Sequence, residues 1–358
     1  MPDRRDRLAA TTLALVDIPS ESRDEAAAAA WVEQELAAAP LRLAYREGSA
    51  LVYETEPAGR PLVVLAGHLD TVPAQGNRPG WIEDGCVVGL GASDMKGGVA
   101  VMVEIGRWLA VERPDLTVDL ALLFFPREEL PLEESALPGV FAGHEAITRA
   151  ELAVMLEPTD NTIQAGCLGN LNARLVVRGE SAHSARPWLG RNAIEKAIAA
   201  LAPLLPVPAR EVDVSGLRFV EVVSPTGVEG GIAANVVPDS AALDLNFRYA
   251  PDRAPDDAER RIHELFDPVG EVTVTSNSPA ARVVVDATLV QSLREAGGFA
   301  VEPKQAWTPV AEFDAAGIPA VNLGPGATRY AHRADERVEI DELVRTFEAL
   351  TRFLRGSV

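Results

Sequence analysis

Apolar residues recur along the chain in two textures. Residues 4–16 and 23–38 read as helices, the second alanine-rich, with Trp31 and Leu36 among scattered acids. Short runs rich in branched residues follow at 50–53, 62–66, 118–125 and 152–156, with a helical stretch at 97–110 among them. Strands alternating with helices predict an α/β layer. From 171 the texture changes: 193–205 and 256–265 read as helices, and 217–223, 241–249 and 272–275 as strands, which describes a small α+β module. Beyond 282 the first texture returns, with helices at 289–295 and 340–354 around a strand at 320–323. The expectation is therefore one domain of residues 1–168 and 281–358 carrying an inserted α+β domain of residues 169–280. No repeat, low-complexity linker or heptad array is present.

Length supports two domains, because 358 residues exceed the comfortable size of one core. With 33 basic against 53 acidic residues the formal charge is −20, which disfavours nucleic acid and anionic lipid as partners. Cys86 and Cys167 are too few for a disulfide scaffold and are not spaced as a metal knuckle, which fits a reducing cytoplasm. Asp17 and Pro19 interrupt the N-terminal apolar stretch, and no small-residue cleavage site follows. No apolar run approaches the ~18 to 20 residues that span a bilayer. A cytoplasmic protein without membrane or nucleic-acid partners is expected.

Candidate chemistry gathers where the apolar runs end. GHLDTVP (67–73) places His68 and Asp70 at the carboxyl end of a strand, where α/β sheets present ligands. Residues two apart on extended chain share a face, so Asp70 can take the proton on one ring nitrogen of His68 while the other meets a metal. GLGASDMKGG (89–98) brackets Asp94 and Lys96 with small residues before a helix. PREEL puts Glu128 and Glu129 at another strand end, LAVMLEPT does so for Glu157, and RYAHRADE holds His332 in a loop. Each motif alone has a plainer explanation, such as a helix cap or a solvent-facing acid. Together they offer five metal-competent side chains without thiolate, a donor set that suits zinc, with cobalt or manganese as alternatives.

These motifs resemble, over essentially the whole chain, the co-catalytic zinc peptidase and deacylase family that includes desuccinylases, acetylornithine deacetylases, aminoacylases and glutamate carboxypeptidases. The resemblance implies a zinc-peptidase-like catalytic domain with a mixed central sheet and an inserted lid or dimerisation domain. It implies two Zn2+ per subunit: His68 and Glu157 on one, Glu129 and His332 on the other, Asp94 between them. It also implies that Asp70 orients His68, that Glu128 is the general base, and that the Asp94–Met95 peptide is cis. RGESAHSARPWLGRNAIEKA (178–197) resembles the lid motif whose histidine, here His183, reaches a partner subunit's site, so a homodimer is expected. Asn235, Arg248, Thr308 and Gly324 would contact substrate, with Arg248 pairing a carboxylate. His144 and His263 match nothing in the family.

The implied reaction is hydrolysis of an N-acyl amino acid, with a metal-activated water attacking the amide and Glu128 moving the proton. SAHSARPWLGRNA and GIAANVVPD look most like the desuccinylases that act on N-succinyl-LL-2,6-diaminopimelate in lysine and cell-wall biosynthesis. AWTPVAEF (306–313) departs from them: Pro309 follows Thr308 where an aspartate is usual, and Glu312 stands where an arginine is usual. Acetylornithine deacetylase, N-acyl-amino-acid hydrolase and dipeptidase activities therefore stay open. A non-hydrolytic metal-binding scaffold is the rival from outside the enzymes.

Overall fold

In the computed structural model, which describes residues 3–356, the chain divides into two units. The first contains Met1–Ala165, Val284–Glu302 and Glu312–Val358, and the second Gly166–Val283 and Pro303–Ala311.

The first unit is organised on an eight-stranded sheet in the order Arg42–Glu47, Ala50–Glu54, Asp119–Phe125, Leu62–His68, Leu152–Met155, Ala320–Asn322, Ile163–Ala165, Val301–Pro303. The four strands from Asp119–Phe125 to Ala320–Asn322 are mutually parallel, while Ala50–Glu54 and Ile163–Ala165 flank them antiparallel. Val63, Val64, Leu65 and Ala66 are all fully buried. Successive side chains point to opposite faces of a strand, so unbroken burial means that both faces are covered. This is why the sequence shows continuous apolar runs instead of alternation. The Leu62–His68 strand extends past the expected 62–66, so His68 is its last residue rather than the start of a loop.

Helix Gly97–Glu112 is buried at almost every position from Gly97 to Leu109, and it packs with Arg4–Asp17 and Ile340–Arg355. Its first turn approaches the sheet closely because residue 98 has no side chain. A Cβ on Gly98 would lie 2.4 Å from the carbonyl oxygen of Leu156, and one on Gly324 would lie 2.3 Å from the same atom. Two glycines thus bracket the backbone that leads directly into Glu157.

The second unit is a five-stranded antiparallel sheet in the order Arg210–Val214, Leu217–Gly230, Ser240–Tyr249, Gly169–Arg178, Glu271–Ser278. Leu171, Ala173, Leu175 and Val177 alternate with less buried residues, as do Leu243, Leu245, Phe247 and Tyr249, and the apolar set is buried with Ala258, Ile262 and Phe266 of helix Pro255–Phe266. Helix Ala193–Leu201 ends before the expected 205, because Pro203 and Pro206 follow it. The Leu217–Gly230 strand runs well beyond the expected 223. Pro225 and Gly227 hid it, and an irregularity in the ladder between them absorbs both. Residues 303–311, expected in the first domain, belong to this unit: Leu168 N–H donates to Ala306 O at 3.1 Å, Trp307 Nε1 to Pro279 O at 3.1 Å, and the Gln305 side chain bonds both backbone groups of Val220.

Gly98→Ala should lower unfolding stability by about 1–3 kcal/mol through overpacking, measured by urea titration. Gly139→Ala is the control, because a Cβ there meets nothing nearer than 3.8 Å.

Candidate metal centre

Three adjacent parallel strands deliver the first acidic and imidazole groups. Leu62–His68 lies between Asp119–Phe125 and Leu152–Met155, with His68 level with Phe125 and Ala66 level with Met155. Neighbouring strands lie about 4.8 Å apart, so His68, the Glu128–Glu129 pair and Glu157 emerge side by side. Asp70 ties two of these ends together. Its Oδ1 accepts Glu128 N–H at 3.0 Å, and its Oδ2 accepts Glu129 N–H at 3.1 Å and the Ser22 hydroxyl at 2.8 Å. The His68 Nδ1 lies 3.0 Å from the Asp70 backbone oxygen and 3.5 Å from its Oδ1, so the nearer acceptor is the backbone carbonyl rather than the carboxylate.

Asp94 comes from the turn Ala92–Lys96, where the Asp94–Met95 peptide is cis. The buried Glu336 shapes that turn: its carboxylate accepts the N–H groups of Gly91, Ser93 and Asp94 at 2.9, 3.1 and 2.9 Å. Sequence reading missed both Glu336 and Ser22, since a carboxylate or hydroxyl serving backbone donors far along the chain leaves no local pattern. His332 sits at φ +61°. Its backbone oxygen accepts Gln75 Nε2 at 2.9 Å, and Arg333 O accepts Asn77 Nδ2 at 3.2 Å.

The result is two overlapping donor sets, His68 with Asp94 and Glu157, and Asp94 with Glu129 and His332. Within each set the donor atoms lie within 4.8 Å of one another. Asp94 serves both through different oxygens: Oδ1 is 3.1 Å from His68 Nε2 and Oδ2 is 3.4 Å from His332 Nε2. Glu157 Oε1 stands 3.9 Å from His68 Nε2, and Glu129 Oε1 stands 3.0 Å from His332 Nε2. Two imidazoles and three carboxylates, one shared, fit a pair of divalent cations of the zinc type. Glu128 groups with His68 and Glu129 in a third cluster.

Charge crowding shows in the protonation equilibria. Burial lifts Glu128 well above the usual carboxylate range, and the charges of Glu157, Glu129 and Asp94 add to this against the pull of His68. Asp94 is pushed up by burial, but hydrogen bonds from His332 and His68 outweigh that and hold it low. Hydrogen bonds to Asp94 and Glu129 raise His332 to about 10. Burial pulls His68 down, yet the nearby carboxylates of Asp70 and Asp94 prevail and raise it. In the absence of a metal, protons supply the positive charge that these carboxylates require.

The remaining candidates are placed as follows. His183 is exposed in the second unit, in a short strand paired with Val236–Val237, and Ser184 N–H donates to Asn235 O at 2.9 Å. Ala185 N–H donates to His183 Nδ1 at 3.0 Å, which assigns the proton of the neutral ring to Nε2. Arg248 lies on the polar face of the second unit's sheet, bonded to Asn246. Thr308 is buried in the second unit, and its hydroxyl has no hydrogen-bond partner among the described residues. Gly324 N–H donates to Thr159 Oγ1 at 3.1 Å, its oxygen accepts Thr159 and Asn161, and its backbone presses on Leu156 and Glu157. Burial raises Glu312 to about 7, and its Oε1 is unpartnered among the described residues. Lys96 is directed to Ile18 O at 2.8 Å, away from both donor sets. His144 pairs with Glu54 at 2.6 Å and His263 with Asp267 at 2.9 Å. Neither joins a donor set. Among the described residues no helix is long and apolar enough to cross a membrane.

Residues 64–356 match the family described as peptidase family M20/M25/M40. The chain is 41% identical over 347 residues to the Mycobacterium tuberculosis protein named DapE, covering 96% of this chain and 97% of that one. It is 35% identical over 350 residues to the succinyl-diaminopimelate desuccinylase of Corynebacterium glutamicum, covering 96% and 95%. Aminopeptidase PepT of Bacillus cereus superposes with a TM-score of 0.82 at 21% identity, covering 99% of this chain and 98% of that one, which shows a common fold.

A ligand nitrogen must be unprotonated, so loading a divalent ion has to expel the proton that Asp94 and Glu129 favour on His332. Titration calorimetry of the metal-free protein with Zn2+ in buffers of different ionisation enthalpy should show net proton release. Apparent affinity should strengthen as pH rises from 6 to 8. Binding without proton release would contradict this placement of His332.

Proposed function

The chain belongs to peptidase family M20/M25/M40 and is an amide hydrolase, and on that footing we propose that it uses two metal ions to release succinate from N-succinyl-LL-2,6-diaminopimelate. The observation that carries the two-metal reading is the Asp94 carboxylate, with one oxygen toward each of two imidazole nitrogens. His68 and Glu157 would hold one Zn2+ and Glu129 and His332 the other, with Asp94 bridging; Co2+ or Mn2+ would satisfy the same donors. Bound there, the ions supply a water acidified to near-neutral pH and a Lewis acid for the amide carbonyl.

The rest of the reaction falls to side chains. Glu128 takes the attacking water's proton at its carboxylate and passes it to the departing amine nitrogen. Burial is the largest influence holding Glu128 basic enough for that task. Asp70 accepts the backbone donors on either side and so fixes where Glu128 starts. The Nε2–H of His183, contributed by a second subunit of a homodimer, donates to the oxyanion. Arg248 supplies the cation for a substrate carboxylate, and Asn235 and Thr308 complete the contacts. Lysine and cell-wall biosynthesis in the cytoplasm is the setting that such a substrate implies.

Glu312 favours a second reading. A buried carboxyl with an unpartnered oxygen, where the desuccinylases resembled carry an arginine, disfavours an anionic group beside it. Acetylornithine deacetylase, a broader N-acyl-amino-acid hydrolase or a dipeptidase would avoid that conflict. A metal-binding scaffold has no use for Glu128, a half-buried carboxyl beyond the two donor sets.

Turnover of N-succinyl-LL-2,6-diaminopimelate beside N-acetylornithine and simple dipeptides decides among these. Preference for the succinyl compound is expected, and a preference for either of the others moves the assignment to it. Glu128→Gln should keep two metals per chain by elemental analysis while kcat falls by about 10²- to 10⁴-fold. An unchanged kcat would remove Glu128 as the base.

A further inference from the structure

On the polar face of the second unit's sheet, Arg174 and Arg248 stand in opposite settings. Arg174 donates to Asp244 at 2.8 Å and also pairs with Glu229. Arg248 is half-buried, and among the described residues no carboxylate lies within ion-pair distance of it. Burial draws its pKa below the ordinary guanidinium value. In a chain with 53 acidic residues against 33 basic ones, a half-buried cation left without a carboxylate calls for a physical reason.

What Arg248 has instead is a neutral amide whose orientation is determined. Its Nε–H donates to Asn246 Oδ1 at 3.0 Å. The Nδ2 of Asn246 donates to Asn170 Oδ1 at 2.7 Å and to Asn172 Oδ1 at 2.8 Å, and the Nδ2 of Asn172 donates to Ser276 Oγ at 2.9 Å. Strand register creates this ladder, because Asn246 and Ser276 both lie opposite Asn172 and Arg248 lies opposite Asn170. Alternate residues share a face, so all of these groups fall on one side of the sheet. Turning the Asn246 amide over would set its oxygen against two amide oxygens and its NH2 against the Arg248 Nε–H. Three bonds would be lost together, so only one orientation is stable.

We propose that Asn246 is a positioning residue that aims Arg248 and keeps its charge available. By taking up Nε–H it leaves the two terminal nitrogens of the guanidinium for a carboxylate, the geometry of a bidentate pair. Being neutral, it leaves the positive charge uncompensated until an anionic acyl group arrives. A carboxylate in its place would hold the same bond and cancel that charge. The role rests on the reading above that Arg248 meets a substrate carboxylate, and it makes Asn246 a determinant of selectivity for acidic over neutral acyl groups.

The test uses the full-length zinc-loaded protein and two acyl derivatives of one amine, N-succinyl- and N-acetyl-LL-2,6-diaminopimelate. Asn246→Asp and Asn246→Ala should each reduce the succinyl-over-acetyl preference in kcat/KM about tenfold, the loss of one charge-assisted contact. Arg248→Ala should reduce it at least as far, and adding Asn246→Ala to Arg248→Ala should reduce it no further. If both Asn246 variants keep the wild-type preference while Arg248→Ala loses it, the positioning role is overturned and the functional reading stands. If Arg248→Ala keeps it too, the carboxylate role of Arg248 falls and takes the selectivity role of Asn246 with it. Hydrogen exchange at Arg248 Nε–H, followed by nitrogen-15 NMR without substrate, decides the contact even if neither compound is turned over. Slow exchange that becomes at least tenfold faster in Asn246→Ala supports the proposal, and equal rates overturn it. Asn246→Asp is nearly isosteric and carries the selectivity test if the alanine variant does not fold.

Discussion

Crowding of like charge around Asp94 is the constraint from which the rest of the first unit follows. Asp94, Glu128, Glu129 and Glu157 converge on two imidazoles at a largely buried place, and carboxylates at such separations repel strongly once water is removed. The arrangement persists only if positive charge is supplied among them, by protons on His68, His332 and Glu128 or by cations that displace them. A carboxylate shared between two histidine-containing sets is the feature on which the proposal of two ions rests.

Holding such groups together requires rigid support, and the support is mostly backbone. Asp70 and Glu336 contribute nothing to the donor sets, yet between them they accept five main-chain N–H groups from the segments that present Glu128, Glu129 and Asp94. Gly98 and Gly324 let a helix and a loop close on the peptide before Glu157. Burial raises Glu336 to about 7 while its backbone donors pull the other way. The same low-dielectric surroundings that make the site reactive therefore reach its scaffold as well.

In the second unit the logic is inverted. Its sheet has one apolar face packed against helix Pro255–Phe266, and a polar face where cross-strand amides set the direction of Asn172, Asn246 and Arg248. Amide ladders impose orientation without charge. Arg248 is thereby held in place while its charge stays unmatched, unlike Arg174 two rows along the same face.

Much of this was legible along the chain because it is written locally. Runs such as 62–66 and 118–125 announce doubly covered strands through continuous branched residues, and His68, Glu128, Glu129 and Glu157 stand close after such runs, whereas Asp94 and His332 do not and were singled out with them through the resemblance of the motifs. The strand from Leu217 to Gly230 was legible only in its first half, since Pro225 and Gly227 look like a stop until the partner strand reveals the irregularity that accommodates them. Residues 303–311 belong with the second unit through bonds to Leu168, Val220 and Pro279, partners distant in sequence that no periodicity announces. The roles of Ser22, Glu336, Gly324 and Asn246 were hidden for the same reason: each serves a group on another segment. Which residues could bind or carry protons was a property of the sequence. Which atoms face each other, and which orientation each amide and imidazole takes, was decided only when the strand register and the long-range hydrogen bonds were in place.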